Sequence, residues 1–378
     1  MKILKKFWVL GCLCITTGAI AQEPALYTAM REEVVMVKKQ GGLFSFELET
    51  TVFKPPGAGP FPVVIINHGK SAGNPKFQSR ARNVWAAREF VMRGFMVLLP
   101  NRQGFSKSTG TYIGGGCNVE SNGRVQAEDV VATVDYVKTL PDAESQRILV
   151  VGQSHGGLTT MAFGALNVPG VKGLVNFAGG LRQDQCPGWE SNLARTLGAY
   201  GKETQLPSLW FYGDNDSYWP TWLYKEMHQK YTDAGGKARL VAFGNFGSDA
   251  HSMFGARAGL SIWLPEVDKF LLQIGLPHQK LHVINLLTHE AAPPASTEFA
   301  KREDEKALPF VKDNGRAGYL KYLEGDAPKA FALSPNSAWS YFLGRSDAMK
   351  AALKRCNENA KDTSCKLYAV DEEVVWQP

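Results

Sequence analysis

One stretch constrains the fold more than any other: residues 148–157, ILVVGQSHGG. Ile148, Leu149, Val150 and Val151 run without a polar break into Gly152-Gln153-Ser154-His155-Gly156, and a mostly apolar, small-residue segment follows from 158 to 166. An unbroken apolar run predicts a strand buried on both faces, as in a parallel sheet covered by helices. The abrupt passage from strand to helix predicts a tight turn at Ser154, flanked by glycines where a side chain would collide. Such a turn holds a hydroxyl above the end of the sheet, which makes Ser154 a candidate nucleophile.

The same spacing occurs a second time, at Gly69-Lys70-Ser71-Ala72-Gly73, after the apolar strand 63–67. Context separates the two serines. Asn74-Pro75 follows Ser71, and a residue before proline disfavours the helical region, whereas the sequence after Ser154 is helical throughout. Gly69-Lys70-Ser71 also imitates the end of a phosphate-binding loop, but Val64, inside the strand, stands where that loop needs its first glycine.

A serine hydroxyl needs a base, and the base needs an orienting acid. The strand expected at 209–212 ends in Gly213-Asp214-Asn215-Asp216, and the strand at 239–243 leads to Ser248-Asp249-Ala250-His251. His251 is the candidate base. His228 falls within a helical stretch, His278, His282 and His289 lie past the last core helix, and His68 and His155 belong to earlier loops. Asp214 and Asp216 both qualify as the acid. The backbone N–H of His155, at a helix start, is a candidate donor to an oxyanion.

On these residues the segment from about 33 to 274 resembles the dienelactone hydrolase branch of the α/β-hydrolases and, more distantly, prolyl-oligopeptidase-type catalytic domains. In that branch the acid loop reads G-x-x-D-x-x-x-P. Gly213 to Pro220 match it, which implies Asp216 as the acid and leaves Asp214 as a turn-capping residue. The resemblance also implies a second oxyanion donor from the loop His68-Gly69-Lys70, here the Lys70 N–H, with Gly69 or Ser71 as alternatives. Two departures stand out. Dienelactone hydrolase proper uses a cysteine nucleophile where this chain has Ser154, and its usual H-G-F is here His251-Ser252-Met253-Phe254. The implied activity is cleavage of a small-molecule carboxylic ester through an acyl-enzyme, with neither metal nor organic cofactor required. A prolyl-oligopeptidase-like peptidase and a non-catalytic exported binding module are the alternatives, although no propeller repeats precede the core. Trp210, Tyr218, Trp219 and Trp222 surround the acid loop; they can line a substrate pocket, with Tyr218 and Trp219 as the candidates, or belong to the core.

The chain begins with Lys2, Lys5 and Lys6, a short apolar run and Ala19-Ile20-Ala21, the pattern of a secretory signal peptide at 1–21. The apolar run is too short to span a bilayer, so no stable membrane insertion is expected after cleavage. Loss of this segment lowers the formal charge of +6 to +3, too small an excess to suggest a nucleic-acid partner. Cys117, Cys186, Cys356 and Cys365 then remain, an even number in an exported chain. Proximity pairs Cys356 with Cys365 and leaves Cys117 for Cys186, a pairing that would staple loops 110–123 and 179–189 into a lid.

The expected architecture is an α/β-hydrolase domain at 22–275, with a doubly wound, mainly parallel sheet. Its expected helices include 77–93 and 127–140. A linker at 276–315 and a small α+β domain at 316–378 follow, the latter read as helix, strand, helix and a last strand at 366–376. The number of chains in the assembly is not legible in the sequence.

Overall fold

The computed structural model describes residues 26–41, 44–114, 116–286, 290–325, 327–361 and 363–378. The expected signal peptide and His289 lie outside the described residues. Eight strands form the main sheet: β1 (Glu33–Gly41), β2 (Phe44–Phe53), β3 (Phe61–Asn67), β4 (Met96–Pro100), β5 (Ala143–Gln153), β6 (Val171–Phe177), β7 (Ser208–Tyr212) and β8 (Ala238–Ala242). Their order is β1-β2-β4-β3-β5-β6-β7-β8. β1 pairs antiparallel with β2, and β2 with β4; every other pairing in this sheet is parallel. This is the mainly parallel, doubly wound sheet that the alternation of strands and helices predicts, and the α/β-hydrolase architecture that the resemblance implies.

The unbroken apolar strands follow from burial on both faces. Val63, Ile65, Ile148 and Val150 point into one hydrophobic cluster with α2 (Val119–Val137), α3 (His155–Gly164), α4 (Trp189–Glu203) and α5 (Thr221–Asp233). Val64, Ile66, Leu149 and Val151 point the other way, toward α1 (Val84–Met92) and α6 (Leu260–Gln273). Because the side-chain period of a strand is two, each set faces its own helix layer, and a polar side chain in either would be buried there without a partner.

Two helices differ from expectation. The helix expected at 77–93 begins only at Val84, because the polar residues before it are held elsewhere. Arg80 and Arg82 both reach the fully buried carboxylate of Glu32, with Arg80 Nη1 at 3.0 Å and Arg82 Nε at 2.7 Å. Gln78 is tied to the backbone of Ser71, and Asn83 adopts a left-handed conformation that starts the helix. The helix expected at 127–140 begins earlier, at Val119, where the Asn118 side chain accepts the Ser121 N–H. Gly123 disguises this first turn; it is glycine because a β-carbon there would collide with the Tyr200 hydroxyl.

Burial alone would raise the Glu32 pKa, but Arg82, the Tyr27 N–H and Arg80 together hold it below its ordinary value. A depressed folded pKa contributes stability above the unfolded value near 4.5 and loses it as pH falls through the folded value. Glu32→Gln is therefore expected to cost on the order of 3 kcal/mol at pH 7. It should also flatten the acid side of a plot of urea midpoint against pH; a wild-type midpoint throughout would contradict this role.

Beyond α6 the chain first returns to the hydrolase core, with Leu281 and His282 N–H both donating to the Met92 carbonyl and Ile284 buried against the α1 cluster. Leu308 and Val311 instead join the core of a second sheet. That sheet has four strands in the order β10-β9-β11-β12, where β9 is Ala330–Leu333, β10 Trp339–Phe342, β11 Lys366–Val370 and β12 Glu373–Val374. Helices α7 (Asp313–Glu324) and α8 (Ala348–Ala360) accompany it. The single strand expected at 366–376 is a hairpin, broken at Asp371, whose φ of 49° reverses the chain. β10 was not anticipated. Both expected disulfides are present, with Cα–Cα distances of 5.6 Å for Cys117–Cys186 and 6.0 Å for Cys356–Cys365.

Candidate active site

Ser154 stands between the end of β5 and the start of α3, at φ 57° and ψ −124°. A side chain rarely adopts this conformation, so the neighbouring packing must impose it. Ser154 N–H donates to the Phe177 carbonyl at 2.9 Å, and its own carbonyl accepts from Gly157, Leu158 and Gly180. The glycines of the motif are spaces occupied by backbone: a β-carbon at Gly152 would strike the Gly156 carbonyl, and one at Gly156 the Asn67 carbonyl. Ser71, the competing serine, lies on an exposed loop followed by a short 3-10 turn at Pro75–Phe77.

His251 is carried by a short 3-10 helix, Ala250–Gly255, that follows β8, and Asp216 by the loop after β7. His251 Nδ1 lies 3.1 and 3.0 Å from the two carboxylate oxygens of Asp216. The Asp216 carboxylate is fully buried, and its Oδ1 also accepts the N–H groups of Tyr218 at 2.8 Å and Trp219 at 3.1 Å. Asp214 is turned away from His251 and accepts the Tyr224 hydroxyl at 2.9 Å. A further aspartate joins the two loops: Asp249 accepts Ser217 N–H, the Ser217 hydroxyl and His251 N–H. These contacts outweigh burial and keep its pKa below the ordinary value. The sequence signal for Asp249 was its position two residues before His251, an Asx-turn spacing.

A cavity of about 560 Å³ opens onto Ser154 and His251, with Gly69, Lys70, Phe77 and Tyr218 in its wall. A second, of about 410 Å³, adjoins it at Asn83, Gln153 and His251. Tyr218 is 40% exposed, and its ring centroid is 4.4 Å from that of His251. Trp219 does not line the cavity, which corrects that expectation: it is 1% exposed, its indole N–H donates to the Ala178 carbonyl at 2.6 Å, and it packs beneath the acid loop. Trp210 is likewise core, while Trp222 is exposed away from the lining. The lid expectation is corrected as well. Among the described residues neither 110–123 nor 179–189 contributes to the cavity wall; the Cys117–Cys186 bridge and the hydrogen bonds of Gln183 to the Gly116 carbonyl and of Asn192 to the Cys117 carbonyl hold the two segments against each other. The segment 77–83 borders the cavity instead.

The possible oxyanion donors sit on two sides of Ser154. His155 is the first residue of α3, where a helix leaves its N–H groups without intrahelical partners. Across from it runs the loop His68-Gly69-Lys70, so near that a β-carbon on Gly69 would lie 3.3 Å from that of Ser154. The Ser71 N–H is already given to Gln78 Oε1 at 3.1 Å.

Behind both lies a buried polar group that sequence reasoning missed. Arg102, fully buried at the end of β4, donates from Nη1 to the His68 carbonyl at 2.6 Å, and its Nη2 lies 3.0 Å from His155 Nδ1. Its Nε donates to Gln126 Oε1 at 3.2 Å. His155 Nε2 lies 2.7 Å from Asn122 Oδ1. Since guanidinium only donates, His155 Nδ1 is the acceptor and Nε2 carries the proton. Burial and the Arg102 charge hold both His155 and His68 well below the ordinary histidine pKa, so both are neutral.

A model of the dienelactone hydrolase family matches residues 48–258, from β2 through the 3-10 helix that carries His251. The chain belongs to that family. The chain is also similar to several solved structures. Est1E of Butyrivibrio proteoclasticus, with bound ferulic acid, is 18% identical over 63% of this chain and 98% of its own, with a TM-score of 0.46. The esterase Pf2001 of Pyrococcus furiosus is 17% identical over 66% of this chain and 96% of its own, with a TM-score of 0.48. Dipeptidyl peptidase 4 of Porphyromonas gingivalis is 18% identical over 64% of this chain and 35% of its own, with a TM-score of 0.49. No protein with a curated description matches the chain. Fold alone does not select a substrate for this family member.

Proposed function

We propose that this chain is an exported serine hydrolase that cleaves carboxylic esters through an acyl-enzyme. The observation that carries the reading is the Asp216–His251 pair, 3.0 Å apart, with His251 bordering the same cavity as a serine held at positive φ. In this mechanism the Ser154 hydroxyl attacks the ester carbonyl carbon and passes its proton to His251 Nε2. The Asp216 carboxylate keeps the other ring nitrogen protonated and stabilises the imidazolium that forms. The N–H groups of His155 and Lys70 donate to the oxyanion. Collapse breaks the bond to the alcohol, which leaves with the proton from His251. Water then attacks the acyl-enzyme, gives its proton to His251, and releases the acid with Ser154 restored. Tyr218, exposed beside His251, borders the bound substrate, and the adjoining cavities leave room on both sides of the scissile bond.

Export rests on the sequence of residues 1–21 and on the two disulfides, which persist in oxidising compartments. Among the described residues no helix is long and apolar enough to cross a membrane. Initial rates on short-chain p-nitrophenyl esters, set beside aminoacyl and dipeptidyl p-nitroanilides, test the bond type. Ester turnover with negligible amide turnover is expected; the reverse would make the chain a peptidase.

A further inference from the structure

Arg102 is a cation enclosed among neutral acceptors. Its donors reach the His68 carbonyl, His155 Nδ1 and Gln126 Oε1, and no carboxylate lies within ion-pair distance of it among the described residues. The carboxylate whose charge acts on it is Asp129, whose oxygens are taken by Lys39 Nζ at 2.7 Å and the Gln103 N–H at 2.8 Å. Burial lowers the Arg102 pKa to about 10, against the pull of Asp129 and Tyr112, so the group remains charged at neutral pH. A buried, incompletely paired guanidinium is costly to a fold. Its position accounts for why this cost is borne.

We propose that Arg102 is the positioning residue of the oxyanion site, joining its two halves and placing a fixed positive charge behind them. The proposal rests on the ester-hydrolase reading. One half is the His68 loop. A trans peptide points its N–H opposite to its carbonyl, so fixing the His68 carbonyl on Arg102 fixes the Gly69 N–H. The Arg102 N–H donates to His68 Nε2 at 3.2 Å, which leaves His68 Nδ1 protonated to donate to the Gly69 carbonyl at 2.6 Å. That bond in turn fixes the Lys70 N–H, which the trans peptide points opposite to the Gly69 carbonyl, and Lys70 borders the same cavity as Ser154. The other half is His155, whose side chain Arg102 holds at Nδ1 while Asn122 holds Nε2, so the residue that opens α3 cannot rotate independently of the loop. In a site with few mobile dipoles, a charge fixed in this way stabilises an oxyanion as it forms and costs no reorganisation.

The test compares wild type with Arg102→Lys and Arg102→Met in the full-length protein, on p-nitrophenyl acetate and with a trifluoromethyl ketone inhibitor, which forms an oxyanion at the serine. A lysine keeps the charge but cannot hold the His68 carbonyl and His155 Nδ1 with a planar fork. Arg102→Met is expected to lose about 100-fold in kcat, and Arg102→Lys about tenfold, each with KM within about threefold of wild type. The inhibition constant for the ketone should rise in step with the loss in kcat/KM, which a merely structural defect would not produce. If Arg102→Met fails to fold, judged by circular dichroism, Arg102→Lys decides alone. Wild-type kcat in that variant, a loss confined to KM, or an unchanged inhibition constant would overturn the proposal. A wild-type protein without ester turnover would overturn the ester-hydrolase reading and this inference with it. Active wild type beside unaffected variants would overturn the inference alone.

Discussion

Ser154→Ala is expected to lower kcat on a short-chain p-nitrophenyl ester by roughly 10⁶-fold while leaving the unfolding midpoint near that of wild type. The size follows from the chemistry, since without the hydroxyl no acyl-enzyme forms and only binding and the oxyanion donors remain. The small structural effect follows from the environment. What shapes the turn is backbone: Ser154 N–H on the Phe177 carbonyl, Gly180 N–H on the Ser154 carbonyl, and the close passage of Gly152 and Gly156. Alanine keeps all of these and bears the same positive φ. Steady-state kinetics and a urea titration on the same preparation check both halves of the expectation. Turnover within tenfold of wild type would remove Ser154 from the mechanism.

Asp216→Asn is expected to cost about 10⁴-fold in kcat at neutral pH, again with the fold retained. Asp216 presents an acceptor to His251 Nδ1 and uses Oδ1 to hold two backbone N–H groups of its own loop. An asparagine that keeps its oxygen on those two N–H groups turns its NH₂ toward His251. The imidazole then accepts at Nδ1 and carries its proton at Nε2, the nitrogen that must receive the proton of Ser154. Asp214→Asn is the matched control. Its carboxylate meets Tyr224 rather than His251, so kcat should stay within about threefold of wild type. Equal losses in the two variants would contradict the assignment of the acid.

These expectations were legible to different degrees, for physical reasons. The sheet could be read because Ile148 to Val151 and their counterparts must be apolar on both faces, a pattern that few surface elements share. His251 and the pair Asp214 and Asp216 could be read because they follow the ends of successive strands, whereas the choice of Asp216 over Asp214 came from the resemblance of Gly213 to Pro220 to the family's acid loop. Less legible were places where a side chain answers to something far away in sequence. Arg80 and Arg82 look helical until Glu32, some fifty positions earlier, takes them. Gly123 looks like a loop residue until Tyr200 occupies the space beside it. Trp219 next to Tyr218 gave no sign of which ring faces the cavity; the Ala178 carbonyl makes that choice. Arg102 was visible only as a basic residue at a strand end, because its partners come from three separate segments, at 68, 126 and 155.

The central claim is that Ser154, not the serine with the same spacing at 71, is the nucleophile. Treatment of the folded full-length protein with a fluorophosphonate, followed by intact mass and peptide mapping, measures this directly. A single adduct is expected, on the peptide containing Ser154, suppressed by a competing ester and absent from Ser154→Ala. An adduct on Ser71, or no adduct on a folded protein that still hydrolyses esters, would contradict the account.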